Sequence, residues 1–263
     1  MEYGALSLLS IYGDDDSEDE SVPGPKVSTK RCFRDDEETP YNFKRLAVPD
    51  IIINGLKAET HSDNPSMHNG RLRSFPHVRG NWSTFLSIPF ETGDDFENLT
   101  ESLRSAVNEI ELNVETSPHI SVSKTVVLRH HWIKIFSDSI REKLNVIKKF
   151  IILFDCLKVY CNEERTRTFL GLQIKSGYES LVKIVSQVDE CLADFKLTKF
   201  YEDPSFHMSI LWCVGDKEDE LNRALPRLNE VFAEQVNVLE NNYINADKVL
   251  CKCGNKIFSY ALS

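Results

Sequence analysis

From about Arg71 onward the chain switches between runs of period two and runs of helical period. Trp82 to Ile88 alternates through Leu86 and Ile88 and stops at Pro89, as a strand does. Leu99, Leu103, Val107 and Ile110 recur at helical spacing. After Pro118, His119 to Ser123 alternates like a strand, and Trp132, Phe136, Ile140, Leu144 and Ile147 then share one face of a predicted helix. The second half repeats this order. Ile151 to Tyr160 and Arg167 to Ile174 are β-rich and turn at Asn162-Glu163-Glu164-Arg165, which predicts a hairpin. A helix with Leu181, Ile184, Val188, Cys191, Leu192 and Phe195 on one side follows. Pro204 to Trp212 is again strand-like, and Leu221, Leu225, Leu228 and Phe232 mark a further helix. Asn237 to Val249 and Lys256 to Leu262 can close the sheet. The order strand, helix, histidine strand, helix thus occurs twice, which predicts two α+β lobes related by a pseudo-twofold axis. Sequence identity between the halves is low, so the repeat rests on element order and on the two histidine strands.

The first 70 residues behave differently. They hold the acidic run Asp14 to Glu20, five prolines, and little periodicity beyond the short apolar run Ile51-Ile52-Ile53. Such a stretch buries too little apolar surface to offset its ordering entropy, so residues 1–70 read as an acidic, disordered tail and residues 71–263 as one folded domain. Charge agrees with this division. The whole chain carries −10, but the tail holds 7 Lys and Arg against 14 Asp and Glu while the remainder holds 24 against 27. A nearly neutral domain excludes a polybasic protein that coats nucleic acid, though not a local phosphate site. No run of 18 apolar residues occurs and no secretory signal opens the chain, so an intracellular protein with no membrane partner is expected. Seven cysteines then read as reduced thiols.

Two segments carry candidate chemistry: Ser117-Pro118-His119-Ile120-Ser121 and Ser205-Phe206-His207-Met208-Ser209. In a strand, residues two apart share a face, so each His-x-Ser pair presents an imidazole beside a hydroxyl. Two such strands in one cleft suit in-line attack at a phosphodiester: a neutral histidine takes a proton from the nucleophile, a protonated one delivers a proton to the leaving oxygen, and the hydroxyls hold non-bridging oxygens. With an ordinary pKa of about 6.5, imidazole supplies both forms near neutrality. Composition alone would give seven histidines roughly one His-x-Ser/Thr match. What raises these two is their equivalent places in the repeated order. The residues by themselves leave two readings open, paired catalysis or histidines satisfied in the core or at the surface.

Longer stretches carry a resemblance. Arg73-Ser74-Phe75-Pro76-His77 through Gly80-Asn81-Trp82, Val127-Leu128-Arg129-His130-His131-Trp132, Thr166 to Leu172, Phe200 to Ser209, Trp212-Cys213-Val214-Gly215-Asp216 and Cys253-Gly254-Asn255-Lys256 together resemble the 3′-end-processing phosphodiesterases of U6 small nuclear RNA. These are a nuclear branch of the 2H phosphodiesterase superfamily, and the resemblance covers about residues 71–263. It implies a bilobal α+β fold in which two pseudo-symmetric lobes of antiparallel sheet, flanked by helices, surround a central cleft. It implies a monomeric, nuclear, metal-independent 3′→5′ exoribonuclease without cofactor, whose partner is the 3′ end of U6 snRNA and which trims uridines and, in some members, adenosines. In the implied reaction the penultimate 2′-hydroxyl attacks the last phosphate, leaving a 2′,3′-cyclic phosphate or its opened product. Carried onto this chain, His119 is the general base, His207 the general acid, and Ser121 and Ser209 hold phosphate oxygens. Tyr201 stacks on the terminal base, Glu163 lies in a loop that contacts the nucleotide, and Ile120, Ser205, Phe206 and Met208 line the substrate. An amide is familiar where Glu163 stands, so a carboxylate there alters hydrogen bonding to the base.

Other groups point less far. His130 and His131 diverge on a helix and make a poor two-ligand metal site. Cys251-x-Cys253 lacks a second pair at zinc spacing. Arg71, Arg73, His77 and Arg79 form a basic cluster that either steers an RNA backbone or is simply solvated. Two rival functions remain: a 2H enzyme acting on small cyclic nucleotides, and an RNA-binding module without catalysis.

Overall fold

Alternation and helical periodicity produce most of the elements where they are expected, and the computed structural model describes Gly70, Phe75, Pro76, residues 78–236 and residues 243–263. The expected tail, with Ile51 to Ile53, lies outside the described residues, as do Arg71, Arg73 and His77. In chain order the elements are β1 (Asn81–Pro89), α1 (Asp94–Ala106), β2 (Asn113–Val114), β3 (His119–Ser121), β4 (Val126–Arg129), α2 (Ile133–Leu144), β5 (Phe150–Cys161), β6 (Arg167–Ser176), α3 (Tyr178–Asp194), β7 (His207–Val214), α4 (Glu218–Val236), β8 (Tyr243–Ala246), β9 (Lys248–Cys253) and β10 (Lys256–Ala261).

The strands form one antiparallel sheet in the order β10-β9-β1-β3-β7-β6-β5-β8, with β4 beside β1 and β2 beside β7. Four strands lie on either side of the β3–β7 seam, so the two histidine strands meet at the axis that relates the lobes. The C-terminus is divided between them. β8 pairs with β5 at the outer edge of the second lobe, whereas β9 crosses back to pair with β1 in the first. Gly254 makes the tight β9–β10 turn at φ +57°, and any Cβ there would sit 2.5 Å from the Trp82 ring.

Leu86, Ile88, Ile120, Met208 and Ile210 are fully buried and share one core with Leu99, Leu103, Phe136, Ile184 and Leu228 from the four helices. α1 packs on α4 and α4 on β5, while α2 contacts α3 and β10. Several elements differ from expectation. β2 and β4 are strands that their short, irregular patterns did not announce. The first helix ends at Ala106, with Val107 already at φ −132°, so Val107 is buried and Ile110 packs on the core from a loop. Trp132 closes a 3₁₀ turn ahead of α2 rather than lying in it, and Pro204 to Phe206 precede β7.

Candidate active site

The site is built at the β3–β7 seam. Ile120 pairs with Met208 in antiparallel register. One residue to either side of that pair, the same register sets His119 across from Ser209 and Ser121 across from His207. Ile120 and Met208 turn into the core, so period two turns all four polar side chains to the opposite, half-open face. Each His-x-Ser strand thereby supplies the hydroxyl that lies beside the other strand's imidazole.

Both imidazoles are held in the same way. Nδ1 of His119 bonds the Ser117 carbonyl at 2.7 Å, and Nδ1 of His207 bonds the Ser205 carbonyl at 2.7 Å. A carbonyl can only accept, so Nδ1 carries the proton in each ring and Nε2 remains for proton transfer. Burial pushes His207 below the ordinary histidine value, the Ser205 carbonyl opposes this, and His119 and Lys158 add to the lowering. In the resting protein His207 is thus biased toward the neutral form; an anionic phosphate between the strands would act in the opposite sense.

A second cluster gathers around Lys124. Lys124, just past β3, pairs with Glu163 at 3.0 Å and lies 4.0 Å above the centre of the Tyr201 ring. The Lys124 ammonium holds the Glu163 carboxyl below its usual range, while burial and then that carboxylate push the Tyr201 hydroxyl up. The β5–β6 loop is shaped by Asn162, whose Oδ1 accepts from the Thr166 and Arg167 amides, and is pinned by Arg165 to Asp216 and Glu218. Glu163 and Tyr201, far apart in sequence, therefore stand together around Lys124.

The remaining expected residues divide. Ser205 is exposed, but Ile120, Phe206 and Met208 are 0%, 4% and 1% exposed, so a substrate could meet only their backbone. Alternation sends every second residue inward, and Phe206 packs on Phe200 and Tyr178. Arg79, His130 and His131 are exposed, and Cys251 and Cys253 are buried, with the Thr84 hydroxyl donating to Cys253. Among the described residues no three His, Cys, Asp or Glu side chains come together as a metal site, and no helix is long and apolar enough to cross a membrane.

A family model described as HVSL, uncharacterised conserved protein, matches residues 47–261. A Xenopus laevis protein named U6 snRNA phosphodiesterase 1 is 42% identical over 98% of this chain and 99% of its own length. This chain belongs to that family. The human protein of the same name is 36% identical over 95% of this chain and 97% of its own length. Among solved structures, Kluyveromyces marxianus Usb1 aligns with a TM-score of 0.47 at 13% identity, over 70% of this chain and 99% of that one. The family match starts at residue 47, ahead of the boundary at Arg71 that composition suggested.

Sequence reasoning missed four groups that the structure sets against the candidate residues. The carbonyls of Ser117 and Ser205 orient the imidazoles, and their signal was present in the shared Ser-x-His-x-Ser order of the two segments. Lys124 and Tyr160 carried no sequence signal, because only long-range pairing brings the first to Glu163 and the second to His207.

Proposed function

We propose that this chain is a U6 snRNA phosphodiesterase that removes 3′-terminal uridines in the nucleus, by attack of the penultimate 2′-hydroxyl on the last phosphate. The observation that carries this is the Ile120–Met208 pairing, which sets each imidazole opposite the other strand's serine. A phosphate seated between the strands receives hydrogen bonds from Ser121 and Ser209. His119, neutral at Nε2, takes the proton of the 2′-hydroxyl; His207, protonated, passes one to the departing 5′-oxygen. The products are a nucleoside and an RNA ending in a 2′,3′-cyclic phosphate. Because Nδ1 of each ring is committed to a carbonyl, the two roles differ only in protonation state at Nε2. Tyr201 offers its exposed ring to the terminal base, with Glu163 and Lys124 as polar neighbours. The folded domain beginning near Arg71 suffices for this chemistry, both proton transfers are assigned to histidine, and no cofactor is invoked.

The test is an oligouridine bearing one 2′-deoxy sugar. At the penultimate position it should block removal of the last nucleotide yet still bind and inhibit; at the terminal position it should be tolerated. Analysis of product ends by mass, with and without excess EDTA, completes the experiment. Efficient cleavage of the penultimate-deoxy substrate would mean that water attacks directly, and loss of activity with EDTA, restored by a divalent ion, would mean metal chemistry.

A further inference from the structure

Pseudo-symmetry makes the two imidazoles alike in strand, tautomer and hydrogen bond, yet their surroundings differ. The nearest ring to His119 on its own lobe is Phe85, with centroids 5.4 Å apart and planes tilted by 35°. His207 instead lies flat against Tyr160, with centroids 3.6 Å apart and planes within 14°. That stack crosses a strand. Tyr160 is on β5 and His207 on β7, and β6 runs between them, with Gly171 paired to Lys158 and to Ser209. Glycine leaves room for the approach. A Cβ at Gly171 would stand 3.2 Å from Cε2 of Tyr160, 3.3 Å from Cδ2 of His207 and 3.2 Å from the Met208 carbonyl oxygen. The Tyr160 hydroxyl is buried and lies beside Ser205.

The geometry points to Tyr160 as a positioning residue for the phosphodiester reaction: its ring, seated over Gly171, fixes the plane of the His207 imidazole and shields one face from water. The hydrogen bond to the Ser205 carbonyl holds one edge of the imidazole but leaves rotation about that contact; the stack removes it. The two constraints together aim Nε2, and misplacement of a proton-transfer group by about 1 Å costs on the order of a hundredfold in rate. His119 lacks the second constraint, so the lobes are chemically unequal despite their shared topology. The groups that face His207 are His119 on β3, Lys158 and Tyr160 on β5, and Gly171 with the neutral Gln173 on β6. Since burial is the largest cause of the lowered His207 titration, exposing its ring should move that titration upward.

This inference rests on the proposed reaction for its kinetic arm, so the first measurement is independent of activity. Histidine ring NMR of the full chain is followed against pH for the wild type, Tyr160→Leu, Tyr160→Phe and Gly171→Ala. In the wild type the His207 ring protons should carry an upfield ring-current shift that those of His119 lack. Tyr160→Leu should abolish it and raise the His207 titration toward the ordinary value; Gly171→Ala should weaken it by wedging the rings apart; Tyr160→Phe should preserve it. On oligouridine, kcat of Tyr160→Leu should fall about tenfold to a hundredfold with KM within about twofold, and Tyr160→Phe should recover most of the rate. An unshifted His207 in the wild type, or a titration and kcat unmoved by Tyr160→Leu, overturns the inference, and the wild-type spectrum decides even if that variant fails to fold. Wild-type protein that shows the shift but leaves oligouridine intact would sink the proposed function instead.

Discussion

Replacing Ile120 with Ala separates a residue that touches substrate from one that holds the two histidine strands together. Ile120 is wholly buried, pairs with Met208 at the seam, and lies between His119 and Ser121. The substitution removes three buried carbon groups, worth about 2 to 2.5 kcal/mol in transfer free energy. The surrounding sheet cannot close fully over the gap, because its backbone is held by pairing to β1 on one side and β7 on the other. A cavity contribution therefore brings the total to about 3–4 kcal/mol. Each kcal/mol moves the midpoint of a domain this size by about 2–4 °C, so the melting temperature should fall by roughly 10 °C. Ile120→Val, which deletes one methyl group, should cost only about 0.5–1.5 kcal/mol. Differential scanning calorimetry measures both, and kinetics on oligouridine at 25 °C, well below the transition, should show kcat falling more than KM rises. A normal melting temperature with a raised KM would show that the side chain meets substrate, and the reading of the seam as core would be wrong.

Three further outcomes follow from the site. His119→Ala and His207→Ala should each lower kcat by about 10²–10⁴-fold with RNA binding retained, and the double variant should be little worse than the worse single one; near-normal turnover in either single variant contradicts paired proton transfer. Because burial holds His207 below its ordinary value of 6.5, the unfolded chain takes up that proton first as pH falls. Stability should then decline as pH drops below about 6.5, so the urea midpoint should be higher at about pH 7.5 than at about pH 5.5, and a difference no smaller in His207→Gln would assign the effect to other groups. Tyr201→Ala should weaken binding of the terminal nucleotide by about 1–3 kcal/mol in a competition assay, and an unchanged inhibition constant would return Tyr201 to a surface role.

Local pattern determined much of this molecule. The alternation around His119 and His207 named the two strands and put each serine on its histidine's face, since the side-chain period of a strand depends on nothing beyond the strand itself. The helical stripes through Leu99, Phe136, Ile184 and Leu228 marked the faces that the core would take, and the doubled order of elements implied two lobes around one cleft. Longer runs such as Phe200 to Ser209 carried the family. What period cannot specify is which strand lies beside which, because pairing is chosen by contacts between residues far apart in the chain. Only the folded sheet sets Ile120 on Met208, so that each imidazole meets the other lobe's hydroxyl, and only it returns β9 to β1 after β8 has closed the opposite lobe. The same long-range packing draws Lys124 to Glu163 and lays Tyr160 across Gly171 onto His207. A histidine's neighbours in sequence fix the face it points from and supply the carbonyl that holds its Nδ1; its neighbours across the sheet decide its plane and its access to water.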